Sequence, residues 1–427
     1  MVAKAYSPSI CPGIPRLGKC PRGWSTRTFE QILRVVERPA AIEDDTEYQL
    51  VNAKRSRGGI VPREKLKGRE IKTKDQYIVR GGDFLIANRQ IIHGACGIVP
   101  PALDGALVSG EYTVLHANDG LSLQWFTAFT HTPYFQLTCF HSSIGVDVEK
   151  MVFKLDWWLK HDLHVPPLNE QEKIAEILST WDAAIVGTRA LIDASARRKI
   201  SLMQQLVTGR RRLPSFRSSG GKASKKGRSP EGWRSHMIGE LGEVVAGGTP
   251  DTNDQAFWDG NVPWATPTDI TRLTSPFIAS TERRITPLGL KASAATLLPH
   301  NSLIVCTRAT VGDCAVNTVP MTTNQGFKNL IVSSTKADVL FLYYWVSANK
   351  HALMRLAAGS TFLEVPKSSF EAIAIDCPPL PEQHAIAAVL TTADEEINCL
   401  KAKCAALERQ KKGLMQKLLT GEVRVSV

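Results

Sequence analysis

The sequence predicts an α+β protein built twice, as two similar mixed α/β domains that are each followed by a long helix. Three observations predict it. Residues 165–213 and 377–425 align without a gap, so that "PPLNEQ" falls on "PPLPEQ" and "LMQQLVTG" on "LMQKLLTG". Each stretch carries a stripe of residues at alternating steps of four and three, the heptad seam of a coiled coil. In front of each repeat, short apolar runs are punctuated by Gly, Pro and Asn, the pattern of short strands and helices in a mixed domain.

The repeat divides the chain. Residues 1–22 form an N-terminal extension, 23–165 the first domain and 166–213 the first long helix. Residues 214–230 are a basic flexible linker, 231–377 the second domain and 378–427 the second long helix. The linker reading rests on a Gly/Ser/Lys-rich composition around Lys222, Lys225, Lys226 and Arg228, running on from Arg210, Arg211 and Arg212.

The first seam reads Ile174, Leu178, Trp181, Ile185, Thr188, Ile192, Ser195, Lys199, Leu202 and Leu206. The second reads Ile386, Leu390, Ala393, Ile397, Leu400, Cys404, Leu407, Lys411, Leu414 and Leu418. Pro-Pro before each start cannot continue a helix backwards. Asn169 and Glu172 form the pattern of a capping box, and Gly209 and Gly421 are C-terminal stops. A helix of ~40 residues runs ~60 Å at ~1.5 Å per residue, too long for the core of an ordinary domain. Two such seams in one chain are expected to pack on each other; the alternative is that each docks on its own domain. Lys199 and Lys411 occupy equivalent seam positions, where a polar residue either fixes register or reaches out to solvent.

Inside the domains, "YIVRGGDFLIANR" (77–89) and "LPHNSLIVCTRATVGDCAV" (298–316) read as turn-then-strand segments, each with an arginine after its strand. "QWFTAFTH" and "FLYYWVSANKHALMRL" read as short helices.

Composition excludes several classes. The N-terminus has no continuous apolar core of a signal peptide, and no run approaches the ~18 apolar residues of a membrane span. A cytoplasmic protein without a membrane partner is the expectation. The nine cysteines include no CxxC pair, which argues against zinc and for scattered thiols in a reducing compartment. The formal charge of +11 is compatible with a polyanionic partner without requiring one.

The sequence carries few signs of catalytic chemistry. No phosphate-binding GxxxxGK[ST] loop, HExxH, GxSxG or Asp/Asn-Pro-Pro-aromatic motif occurs. His93 and Cys96 lie close in sequence but lack an orienting third group. Binding signals are better. Residues 52–74 carry Lys54, Arg55, Arg57, Arg63, Lys65, Lys67, Arg69, Lys72 and Lys74 against Glu64 and Glu70, a cluster able to neutralise phosphates. "TTNQGFKN" (322–329) offers Thr323, Asn324, Gln325 and Lys328; amides can bond adenine bidentately, and basic groups can bond guanine or phosphate. Arg89 and Arg308 follow their strands, either toward DNA or toward loop carbonyls.

These features together resemble a known family. "PPLxEQ" opening a heptad helix that ends in "LMQxLxTG", twice, is similar to the DNA-specificity subunit of type I restriction-modification systems. "GGTPDTNDQAFWDGNVPWATPTDI" (247–270), "TRATVGDCAV" and "TTNQGFKNL" resemble segments of that family's target-recognition domains. The resemblance implies that each target-recognition domain reads half of a split double-stranded DNA sequence. It implies that the long helices set the spacer and dock two methyltransferase subunits. An ATP-driven restriction subunit can join. S-adenosylmethionine, ATP and Mg are then expected on partner subunits, with no cofactor, metal or catalytic residue in this chain. A pseudo-two-fold arrangement of a tandem duplication further requires the helices to run antiparallel. Two other readings stay open: a coiled-coil scaffold that binds only proteins, and an enzyme with an unfamiliar site at His93 and Cys96.

Overall fold

The computed structural model describes residues 10–217, 230–357 and 364–426. Most of the basic linker, including Lys222, Lys225, Lys226 and Arg228, lies outside the described residues. The chain divides into two units, Met1–Val186 with Ala405–Val427, and Gly187–Cys404. The long helices run Leu168–Leu206 and Leu380–Leu419, and each contributes to both units.

The first unit holds two four-stranded sheets. One has the order Leu33–Val35, Tyr112–Ala117, Phe84–Ala87, Cys96–Ile98; the other has Ile60–Lys67, Glu47–Ala53, Leu107–Ser109, Gln76–Ile78. A two-stranded ribbon, Ser25–Thr28 against Asp162–Val165, brings the domain's start to its end. The core is aromatic: Phe29 stacks on Trp158 at 4.1 Å, among Phe84, Phe126, Phe129 and Phe135. Ile174 and Leu178 of the first long helix and Leu418 of the second are buried in this same core. Each such side chain contributes ~1.5–3 kcal/mol by leaving water.

The second unit again holds two larger sheets and a two-stranded ribbon. Its five-stranded sheet runs Gly242–Ala246, Phe327–Val332, Leu303–Cys306, Cys314–Asn317, Phe277–Ile278. A three-stranded sheet joins Arg283–Ile285, Trp258–Ala265 and Thr322–Thr323. The ribbon recurs as Arg234–Met237 against Ala374–Cys377. The expected apolar helix is broken at Asn349 into Val339–Ala348 and Lys350–Leu356. Leu206, Ile386 and Leu390 enter this unit's core.

The seam stripes are buried or half-buried along their whole length, including Trp181, Ile185, Ile192, Leu202, Ile397, Leu400, Leu407 and Leu414. Both expected modes of packing occur, because the stripe ends dock on the domain cores while its inner part pairs helix to helix. In the second unit Lys199 Nζ donates to Asp394, Arg198 pairs with Glu396, and Arg212 pairs with Glu382. Partners fall as residue numbers rise, so the two helices run antiparallel there. In the first unit Lys411 pairs with Asp182 and Arg424 with Glu170, again antiparallel. Lys199 and Lys411 are equivalent in the duplication, and so are Asp394 and Asp182. The seam lysines therefore pair across the helices in a fixed register instead of reaching freely to solvent.

The starts of the helices differ from the expected capping box. The first helix begins at Leu168, so Asn169 is already inside it, and Pro167 O accepts from the Glu170 and Gln171 amides. Glu170 and Glu382 are 2% and 0% exposed and do not cap. Glu170 accepts from Arg424 Nε at 2.6 Å and Nη2 at 2.7 Å, and from Trp24 Nε1 at 3.1 Å. Glu382 accepts from Arg212 Nε at 2.9 Å and Nη2 at 2.6 Å. In each unit the same arginine also donates to a carbonyl of the entering chain: Arg424 to Arg22 O, and Arg212 to Glu231 O.

Two glycines make room for these clasps. Gly209 (φ +64) and Gly421 (φ +70) end their helices in the left-handed region, where a Cβ would lie 2.2 Å from Pro230 and 2.5 Å from Pro21 respectively. Arg212 thus belongs to a folded junction and not to a solvated linker.

Gln171 and Gln383 complete the junctions. Each amide oxygen accepts from the N-cap residue of a domain helix, Ser122 N at 2.8 Å and Asp338 N at 2.9 Å. Each amide nitrogen donates back to the Pro166 or Pro378 carbonyl at 2.9 Å.

Candidate nucleic-acid interface

In the first unit the basic cluster forms a hairpin. Strands Glu47–Ala53 and Ile60–Lys67 are antiparallel, with Ala53 opposite Ile60. The turn passes through Ser56 and Arg57, which both hold positive φ near +57°. Lys54, Arg55, Arg63, Lys65, Lys67, Arg69, Lys72 and Lys74 are all exposed. Several have acid neighbours. Arg55 pairs with Glu149 at 2.6 Å, Arg63 with Glu64 at 2.9 Å, and Lys65 approaches Glu47 at 3.8 Å. Exposed pairs of this kind are worth little and can be exchanged for phosphate. Beside the hairpin opens a cavity of about 430 Å³, lined by Leu50, Arg63, Leu66, Lys72, Gln76 and Tyr112 among others.

Arg57 differs from its neighbours. Its Nε donates to Thr130 O at 2.7 Å, its backbone N donates to Gly94 O at 2.9 Å, and burial lowers its guanidinium pKa. It holds the hairpin turn onto the domain, so it serves structure where the sequence pattern grouped it with the phosphate-binding cluster. Arg89 is exposed and clamped bidentately by Glu111 at 2.6 and 3.0 Å, which raises its pKa.

In the second unit the loops after several strands meet at one edge. Strand ends Ala246, Ala265, Cys306 and Thr323 lead into residues 247–250, 266, 307–310 and 324–326. The structure splits the expected TTNQGFKN group. Thr323 is fully buried, and its Oγ1 accepts from Asn329 Nδ2 at 2.9 Å. Lys328 is 6% exposed and pairs with Glu364 at 2.8 Å. Lys328 lies on a strand paired on both sides, and Thr323 is buried on a strand at the edge of its sheet, so neither faces a ligand as the sequence pattern implied. Asn324 Oδ1 accepts from Gly326 N at 2.9 Å and shapes the turn. Gln325 is exposed, with Thr249 Oγ1 bonded to its amide. Arg308 is half-buried beside Gly326, just before the positive-φ residue Ala309.

Against known proteins, the model of the type I restriction modification DNA specificity domain matches twice, at residues 21–193 and 230–409. The chain belongs to this family. Both matches open at the Pro-x-Gly-Trp turns, Pro21–Trp24 and Pro230–Trp233, that receive the arginine clasps.

The specificity subunit of type I restriction enzyme MjaIX from Methanocaldococcus jannaschii is 32% identical over 189 residues. That match spans 44% of each chain, so it covers less than half of the relative's length. The EcoR124I/EcoR124II specificity subunit of Escherichia coli is 28% identical over 170 residues, covering 38% of this chain and 41% of that one. Among solved structures, the HsdS subunit from Thermoanaerobacter tengcongensis has the same fold, with a TM-score of 0.57 and 19% identity over 95% of this chain and 99% of the other. A chain from a study of complex assembly and conformational transition of the type I R-M system gives 0.60 at 18% identity, covering 95% and 100%. A family of duplicated specificity domains accounts for the double architecture.

Other residues emerge only from the structure. Arg283 lies over the Trp258 ring at 3.7 Å and near Trp264 at 5.3 Å, a cation–π stack that the sequence does not announce. Thr249 gains its place only through the fold, because its partner Gln325 lies far along the chain; the "GGTP" pattern around it is the sequence's sole hint. His93 and Cys96 are both 2% exposed. His93 Nε2 lies 3.3 Å from Glu149, and burial lowers its pKa. Burial pushes the Cys96 thiol up to about 12, the opposite of an activated nucleophile. Among the described residues no helix is long and apolar enough to cross a membrane.

Proposed function

We propose that this chain is the sequence-reading subunit of a type I restriction-modification complex, with one unit for each half of a bipartite double-stranded DNA site. The observation that carries the reading is the double family match, one specificity domain per repeat. The exposed hairpin bases Lys54, Arg55, Arg63, Lys65 and Lys72 support phosphate contact by the first unit, and the loop edge bearing Gln325 and Arg308 supports contact by the second. The long helices set the number of base pairs between the halves and dock two methyltransferase subunits. A restriction subunit joins that core. The chain performs no bond chemistry itself; S-adenosylmethionine, ATP and Mg act on the partner subunits. The complex works in the cytoplasm.

The test is co-expression with the methyltransferase subunits, followed by assembly, DNA binding and methylome sequencing. The expected result is a stable complex that methylates one split motif. Inserting four residues after Thr188 or Leu400, about one helical turn, should alter or abolish the spacing. An assembled complex that binds DNA without sequence preference would sink the reading, and one that binds no DNA, or shows no dependence on salt, would point to a protein-only scaffold.

A further inference from the structure

We propose that Gln325, held by Thr249, reads an adenine base in the half-site of the second unit. This rests on the DNA-reading function proposed above. The fold takes most polar residues of this segment out of contention. Of the polar residues at 322–329, Thr322, Thr323, Lys328 and Asn329 are buried, and Asn324 is consumed by its own turn. Gln325 is the exposed residue in that run.

The backbone on both sides of Gln325 is pinned. Asn324 N donates to Ala265 O at 3.0 Å, and Thr307 N donates to Gly326 O at 2.9 Å. Gly248 N donates to Thr323 O at 2.9 Å, and Trp264 Nε1 holds Gly248 O at 2.8 Å from below. Gly247 approaches so closely that a Cβ there would sit 1.9 Å from Asn324 O. The GGT segment is therefore packed on the NQG turn, and this packing delivers Thr249 to Gln325.

The Thr249 hydroxyl then fixes the Gln325 amide plane. A hydroxyl can donate to the amide oxygen or accept from the amide nitrogen, so the plane is held in either assignment. An amide oxygen has two lone pairs, so one remains for adenine N6–H while the amide nitrogen donates to N7. A phosphate contact would require no such orientation.

The test uses the complex assembled with its methyltransferase subunits. Binding is measured on a panel of duplexes in which each base pair of the wild-type motif is substituted in turn. Gln325→Ala should lose roughly 5- to 150-fold discrimination at one A·T pair of one half-site. The other half-site and the spacer should stay unchanged, which also reports that the variant is folded. Gln325→Glu should shift preference at that pair toward C·G, because a carboxylate accepts from cytosine N4. Thr249→Val should weaken the same discrimination while leaving the amide in place. Unchanged discrimination in the Gln325 variants, or an equal loss against every sequence, overturns the assignment while the DNA-reading function stands. A wild-type complex without sequence preference overturns the function itself.

Discussion

Removing either clasp arginine should destabilise the protein unequally, and the structure says in which order. Arg212→Ala strands Glu382, a carboxylate with no exposure, by removing both guanidinium bonds. Leaving one member of a buried pair unpaired costs about 3–5 kcal/mol. Arg424→Ala strands Glu170, which keeps the Trp24 indole as a donor at 3.1 Å. A hydrogen bond to a charged group is worth about 1.5–3 kcal/mol. Arg424 is also 41% exposed against 19% for Arg212, so its pair is better screened to begin with.

The Arg424 variant should therefore cost less, by about 1 kcal/mol or more. The second unit has no equivalent help, since the buried Trp233 Nε1 has no hydrogen-bond partner among the described residues. Urea unfolding followed by circular dichroism measures both variants. Adding Trp24→Phe to Arg424→Ala should bring its cost up toward that of Arg212→Ala. An equal cost for the two single variants, or the reverse order, would refute the claim that the remaining Trp24 donor and the weaker burial of Arg424 soften the penalty.

Four further outcomes are expected. In double-mutant cycles Lys199–Asp394 should couple by about 1–2 kcal/mol and Lys411–Asp182 by less than about 1, because Asp394 is 16% and Asp182 59% exposed; equal couplings in unfolding titrations would contradict this. Replacing Lys54, Lys65 and Lys72 by Ala should flatten the salt dependence of DNA affinity by about 0.9 for each phosphate no longer neutralised. Arg57→Ala should instead lower thermal stability, by about 1–3 kcal/mol for its partly buried bond to Thr130 O. Thiol labelling of the native chain at pH 8 should reach exposed Cys399 first, while Cys96, Cys306 and Cys314, pushed up to about 12 by burial, should label only on unfolding; mass spectrometry of labelled peptides decides it.

The heptad stripe was legible because its period is the helix's own geometry, and every seam residue from Ile174 to Leu418 is at least half-buried. The basic hairpin was legible as a cluster but not residue by residue. Arg57 looks like its neighbours until the left-handed turn at Ser56 directs it inward. Lys328 misled for a different reason. Its strand, Phe327–Val332, lies between Gly242–Ala246 and Leu303–Cys306, so both edges are paired and a buried lysine there needs a partner such as Glu364. The partners of Glu170 and Glu382 lie far away in sequence. Their signal was nonetheless present, since Arg212 falls on Arg424 in the ungapped alignment of the repeats.

That alignment explains why "PPLxEQ" is written twice. A long helix leaving a domain can pivot about its first turn unless that turn is tied at more than one point. The prolines end the ribbon strand and supply the first helical acceptors, Pro167 O and Pro379 O. The glutamine ties the first turn to the N-cap of a domain helix, and the glutamate holds the arginine at the tail of the opposite helix, which also donates to the entering Pro-x-Gly-Trp turn. Three chain segments distant in sequence are thus fixed to one helical turn in each unit. The proposed role of the long helices in setting a distance needs that rigidity at both places where a helix meets a domain, and a duplicated chain specifies it once per copy.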